Sequence, residues 1–153
     1  MIQPKPSPRP RRPATRIKRR GKAGSRTSKR RKARRAREAD CDRVFSLLIR
    51  TMGDWRCKAC DTPFHLQCAH ILSRAYRMIR FDTTNAVCLC RLHHRLWSYP
   101  NTVAWEDQVE VWYPGRLEVL KQKTRTLSWT KDYEGMLESL NAQLAALQAR
   151  RAS

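Results

Sequence analysis

Two ligand-type pairs about 30 residues apart, Cys57-x2-Cys60 and Cys90-x2-His93, constrain what this chain can fold into more than any other feature. A turn over two intervening residues aims both side chains of a pair at one point. Two such turns complete a tetrahedral zinc site. Cys88 is the competing donor, because in a strand it would share a face with Cys90 and so replace Cys90 or His93. The paired knuckle spacing favours Cys57, Cys60, Cys90 and His93 as ligands. Cys41, Cys68 and Cys88 are then small buried side chains. Six cysteines at metal-type spacing, with no apolar leader, are expected to be thiols in a reducing, cytoplasmic compartment of a bacterial or phage-infected cell.

The charge is as uneven as the cysteines are local. The chain of 153 residues has a net charge of +20, and 17 of its 33 Lys and Arg lie in residues 1–40, against only Glu38 and Asp40. Five prolines in the first 13 residues and few large apolar groups leave little to bury, so disorder is expected at least through Ser25. Such a block seeks a polyanion. Nucleic acid is the expected partner, with phosphates met by Arg30, Arg31, Arg34 and Arg35. No stretch is long and apolar enough to span a membrane, and the arm lacks an apolar face, so no membrane partner is expected.

Between the arm and the end of the chain the apolar pattern alternates in period. Thr27 and Ser28 are placed to cap a helix running to about Met52, with Val44, Phe45, Leu48 and Ile49 on its core face and Gly53-Asp54 as its stop. Its basic first half has no evident core, and is expected to become helical on DNA. After the first knuckle, residues 66–72 read as a strand, 73–84 as a basic loop, 85–89 as a second strand and 91–98 as a short helix ended by Tyr99-Pro100. Asn101 or Thr102 would cap a helix ending near Trp112, and Pro114-Gly115 separates it from another over about 116–123. Thr130 would cap the last helix. There Tyr133, Leu137, Leu140, Leu144 and Leu147 form a short coiled-coil-like seam, read first as docking on the domain and second as a homodimer interface. Trp97, Trp105 and Trp112 are expected in the core. The fold class is therefore α+β: a ββα finger with zinc knuckles between helices. The organisation is a basic arm over 1–40, a central domain over 41–123 and a C-terminal helix over 124–153.

The zinc set leaves His70, Asn85 and His94 unexplained. The stretches Cys-Ala-His-Ile-Leu (68–72) and Asn-Ala-Val-Cys-Leu-Cys-Arg-Leu-His-His (85–94) resemble the HNH endonuclease pattern, in which a strand His is followed by an Asn and then by a helix His. Within that family, Arg77-x-x-Arg80-Phe81-Asp82-x-x-Asn85 and the preceding apolar helix are similar to phage recombination nucleases of the lambda NinG (Rap) type, which act on branched DNA. The resemblance implies a ββα-metal fold and hydrolysis of phosphodiester bonds in duplex or branched DNA. It implies His70 as the general base, His94 as a ligand of a catalytic Mg²⁺ or Mn²⁺, Asn85 as the tie that holds the His70 strand, and the zinc as structural. Arg74, Arg77 and Arg80, on the loop between the strands, would meet phosphates. Two departures stand out. Ala69 occupies the position before the first His, where the pattern has an acid or another ligand, and His93 takes the place of a knuckle Cys. Ala69 favours the rival reading, a non-catalytic zinc-stabilised DNA- or RNA-binding protein. His65 reads as a surface or structural histidine.

Overall fold

The computed structural model describes residues 26–98, 102–129 and 131–152. The expectations for residues 1–25, for the Tyr99-Pro100 stop, and for caps at Asn101, the Thr102 side chain and Thr130 lie outside what it describes.

The first helix, α1 (Arg26–Met52), is built from Arg, Lys, Ala and Glu, all good helix formers. It already runs at Arg26, so Thr27 and Ser28 lie in its first turn and do not cap it. Its basic half is helical and continuous with the apolar half. Where the two halves meet, α1 has a neighbour that the local sequence does not reveal. Arg37 pairs with Glu134 at 2.6 Å, and the Tyr133 hydroxyl donates to Glu38 at 3.1 Å. Further along, Cys41, Phe45, Leu48 and Ile49 are buried. Gly53 closes the helix by donating to the Ile49 carbonyl. Glycine is required there for closeness: an added Cβ would lie 2.6 Å from the Cys88 Cβ. Gly53→Ala is expected to lower stability by about 1–3 kcal/mol through overpacking, read as a lower thermal midpoint; an unchanged midpoint would show that α1 and the sheet slide apart freely.

Strands β1 (Leu66–His70) and β2 (Ala86–Cys90) pair antiparallel, with Cys68 opposite Cys88 and His70 opposite Ala86. All five β2 residues are buried, because helices cover both faces of this two-stranded sheet. Alternation along β2 divides two cores. Val87 and Leu89 join Ala69, Ile71 and Ile79 with Trp105, Val109, Leu117 and Leu120. Ala86 and Cys88 join Phe45, Leu48 and Ile49 with Tyr133, Leu140 and Leu144. The first core is closed by α2 (Arg91–Ser98), α3 (Thr102–Trp112) and α4 (Arg116–Thr126). Trp97, Trp105 and Trp112 cluster there with ring centroids 5.2–6.2 Å apart, and the Trp105 indole donates to the Ile71 carbonyl at 3.0 Å.

The second core is closed by α5 (Tyr133–Ala152), which lies along α1. Tyr133, Leu140 and Leu144 of the heptad-like seam are buried within this chain, so the seam docks on the domain. Among the described residues, no helix is long and apolar enough to cross a membrane.

Candidate metal centre and the residues around it

Backbone hydrogen bonds shape the first knuckle. Cys57 donates to the Thr62 carbonyl at 3.0 Å and Asp61 to the Cys57 carbonyl at 2.8 Å, with Asp61 in the left-handed region at φ 59°. Lys58 donates to the Cys88 carbonyl at 2.9 Å, which pins the knuckle on β2. The second pair needs no separate turn: Cys90 ends β2, and His93 lies in the first turn of α2. His93 Nδ1 lies 3.2 Å from Cys90 Sγ and 3.7 Å from Cys57 Sγ, and Cys60 Sγ lies 4.0 Å from Cys90 Sγ. One ligand atom from each of the four residues falls within 4.8 Å of the others, so these residues can hold a metal ion. With metal–sulfur bonds of about 2.3 Å a tetrahedron has edges of about 3.8 Å, which these spacings bracket. Burial alone would raise the Cys57 thiol, but hydrogen bonds from the backbone of Cys90, Ala59 and Cys60 outweigh it and bring it down to about 7. That favours the thiolate a metal needs. Cys88 is absent from this cluster. Its side chain packs in the α1 core, and burial pushes its thiol up to about 11.

His70 ends β1 with its ring 5.6 Å from that of Phe45. Its Nε2 lies 2.9 Å from the Arg80 carbonyl. A carbonyl only accepts, so Nε2 carries the proton and Nδ1 keeps its lone pair. Burial holds the His70 pKa below the ordinary 6.5 and the Arg74 and Arg80 charges act the same way, against the Arg80 carbonyl bond. Asn85 is fully buried, with all its bonds to backbone. Its amide nitrogen donates to the carbonyls of Leu72 (3.1 Å) and Ile79 (3.0 Å), and its amide oxygen accepts from Leu72 N–H at 2.8 Å. The Asn85 carbonyl accepts from Ile71 N–H at 2.8 Å. One residue thus closes the loop between the strands on both sides.

His94, on α2, has Nδ1 2.6 Å from Gln67 Oε1, and burial lowers its pKa. Gln67 and His70 are three apart in β1 and so point to opposite faces. His70 faces α1 and His94 meets the strand from the α2 side; they share no hydrogen bond or ring contact. Ala69 is fully buried in the α2-side core. Among the described residues, the Cys57–Cys60–Cys90–His93 set is the one group of three or more His, Cys, Asp or Glu placed to hold a metal.

The loop arginines differ in what they touch. Arg80 is tied internally, by two bonds to the Asp42 carboxylate (3.0 and 2.6 Å) and one ion pair to Glu38 (2.7 Å), with 13% of its side chain exposed. Arg77 donates to the Tyr133 hydroxyl at 3.0 Å. Arg74 is exposed. On α1, Arg30, Arg31, Arg34 and Arg35 are all exposed, and the first three line a groove with Lys131. The Glu38–Asp42–Arg80 network was missed from sequence. Its one visible signal is a cluster of three acids, Glu38, Asp40 and Asp42, at the end of a basic run. Arg80→Met would strand the Asp42 carboxylate and leave Glu38 with the Tyr133 hydroxyl and Arg77; it is expected to cost about 2 kcal/mol, short of the 3–5 of a fully buried pair because Asp42 keeps some water. Urea denaturation reads this; no change in midpoint would mark the pair as neutral.

The protein-family model of HNH endonucleases matches residues 54–100. No curated protein and no solved structure matches the chain. The matched stretch contains the four-residue metal set together with His70, Asn85 and His94, and it supports nuclease activity on nucleic acid.

Proposed function

We propose that this protein is a metal-dependent DNA endonuclease that hydrolyses phosphodiester bonds. The observation that carries this reading is the coincidence of the HNH endonuclease match with the stretch that holds the metal set, His70, Asn85 and His94. Three thiolates and one imidazole, with no open position, are the donor set of a structural zinc, and zinc is the ion we assign. Its part is to fix the start of α2 against the knuckle and β2. We assign His70 as the general base, with the Arg80 carbonyl holding the ring in the tautomer whose Nδ1 can take a proton from water; because His70 faces α1 and His94 the α2 side, this assignment requires the scissile phosphate to sit across the His70 end of β1. His94 offers Nε2 to a catalytic Mg²⁺ or Mn²⁺, with Gln67 orienting the ring from Nδ1. Such an ion, when bound, would neutralise charge on the phosphorane and the leaving oxygen. Asn85 holds the loop and the end of β1, and so fixes His70. Arg74 and the exposed arginines of α1 are the phosphate contacts this reading favours, whereas Arg80 acts through its ion pairs. Action on branched recombination intermediates, as in the NinG (Rap) type, rests on the residue pattern around Arg77–Asn85, and a homodimer would need a surface other than the α5 seam.

The sign of the pH dependence follows from His70. Its pKa lies below 6.5, so the base is neutral and competent above that value, and is lost as pH falls through the lowered one. The reading predicts Mg²⁺- or Mn²⁺-dependent cleavage of end-labelled DNA with a plateau near neutral pH and an acid limb below 6.5. An acid limb well above that value would remove His70 as the base.

A second reading has one observation in its favour. Ala69 is buried and, among the described residues, no carboxylate joins His94 in a possible metal set, so a zinc-stabilised DNA- or RNA-binding protein without catalysis would have the same fold.

A further inference from the structure

Beside the metal centre three large apolar side chains stand out of the surface: Phe64 is 70%, Leu92 64% and Leu96 54% exposed. Single exposed apolar groups need no explanation, but neighbours sharing one concavity do. These three line a single open hollow of about 750 Å³ with Arg91, Arg95 and His65, and no carboxylate lines it. The helix arranges them in order. With about 3.6 residues per turn, Arg91 and Arg95 form one ridge of α2, His94 lies on one side of that ridge, and Leu92 and Leu96 lie on the other. The opposite face of α2 is taken up internally: His93 is in the metal set and Trp97 is in the aromatic cluster. The ledge is also held in place. His65, in the left-handed region at φ 53°, accepts the Arg91 N–H on its carbonyl at 2.9 Å, which fixes the Phe64 backbone against the start of α2.

Cations flanking an apolar shelf, with no acid, match the alternation of a nucleic-acid strand, where charged phosphates alternate with bases that have apolar faces. A paired, stacked base offers no free face to such a shelf, and an unstacked one does. We propose that the Phe64–Leu92–Leu96 ledge receives an unstacked base of the substrate, with Arg91 and Arg95 holding the phosphates beside it. The protein then selects DNA with an unpaired or splayed base next to the phosphate presented to His94. This inference rests on the nuclease reading and names its substrate class.

The test uses the full, zinc-loaded chain without Mg²⁺ or Mn²⁺, so that binding is read apart from cutting. Fluorescence anisotropy compares a duplex with one bulged base against the fully paired duplex of equal length. The bulged duplex is expected to bind about tenfold tighter. Phe64→Ser with Leu92→Ser should collapse that ratio towards one, and Val119→Ser, an exposed apolar residue on α4, should leave it intact. These positions are on the surface; bound zinc and circular dichroism confirm that each variant folds. Equal affinities in the wild type, a ratio untouched by the double variant, or a ledge occupied by a second copy (seen as a dimer that the double variant dissociates) would each overturn the proposal. Preference without cutting in any metal sinks the nuclease reading and leaves the ledge standing; cutting without preference does the reverse.

Discussion

Cys57→Ser is expected to release the metal and unfold the central finger. The Cys57 thiolate belongs to the knuckle that Lys58 ties to β2, and its sulfur lies 3.7 Å from the His93 ring nitrogen that brings in α2. Loss of one ligand loosens the knuckle and the start of α2 at once, both at the Leu66–Cys90 end of the sheet. Structural zinc sites contribute about 10–16 kcal/mol of apparent binding free energy, comparable to the whole stability of an ordinary domain, about 5–15 kcal/mol. The α2-side core has no second tether of that strength. We therefore expect no bound zinc, loss of the cooperative thermal transition over the finger, and the same outcome when a strong chelator strips the wild type. Retention of one zinc per chain with an unchanged transition would dismiss this ligand set. Cys88→Ser serves as the contrast. Its side chain lies on the other face of the sheet, so zinc should be retained while packing against α1 suffers modestly.

The second large effect belongs to His70. His70→Ala removes the proposed base, and general-base catalysis contributes about 10²–10⁴ in rate. The substitution also opens a small void beside Phe45, whose ring is 5.6 Å away, so some loss of stability accompanies it. His70→Gln keeps more of the volume and separates the two effects. The expected result is a single-turnover cleavage rate at least a hundredfold lower in both variants, with DNA affinity within twofold of wild type and zinc retained. An equal loss in affinity and rate would place His70 in binding or folding rather than in proton transfer.

How much of this was legible beforehand depended on distance along the chain. The metal set could be read because each of its pairs is local, and because three Cys and one His at two-residue spacing have few other uses. Helices α2, α3 and α4 followed from periodicity punctuated by Pro114 and Gly115. Asn85 stood out by its spacing from His70, although its three backbone bonds, to Leu72 and Ile79, could only be seen in the fold. Long-range pairing was not readable. Arg80 looked like one more cation in a basic loop, and its partners Glu38 and Asp42 lie on a helix about 40 residues earlier. The same blindness hid the neighbour that α1 has where its two halves meet, Tyr133 at the far end of the chain. The α5 seam was legible as a seam, but its partner was not: a 4-3 apolar spacing looks the same whether it closes on α1 or on a second copy. The ledge on α2 escaped notice because Leu92 and Leu96 have the spacing of core residues, and only the fold shows that they face out.

The central claim is that this metal-built finger cuts DNA. It is tested most directly by incubating the purified zinc-loaded protein with labelled linear and branched DNA in Mg²⁺ and in Mn²⁺. The account predicts divalent-dependent strand cleavage, with the rate ratio between the two substrates reporting any preference for branches. Tight binding with no cleavage in either metal would contradict it, and would make the finger a zinc-stabilised DNA clamp in which Ala69 stands where a catalytic ligand is needed.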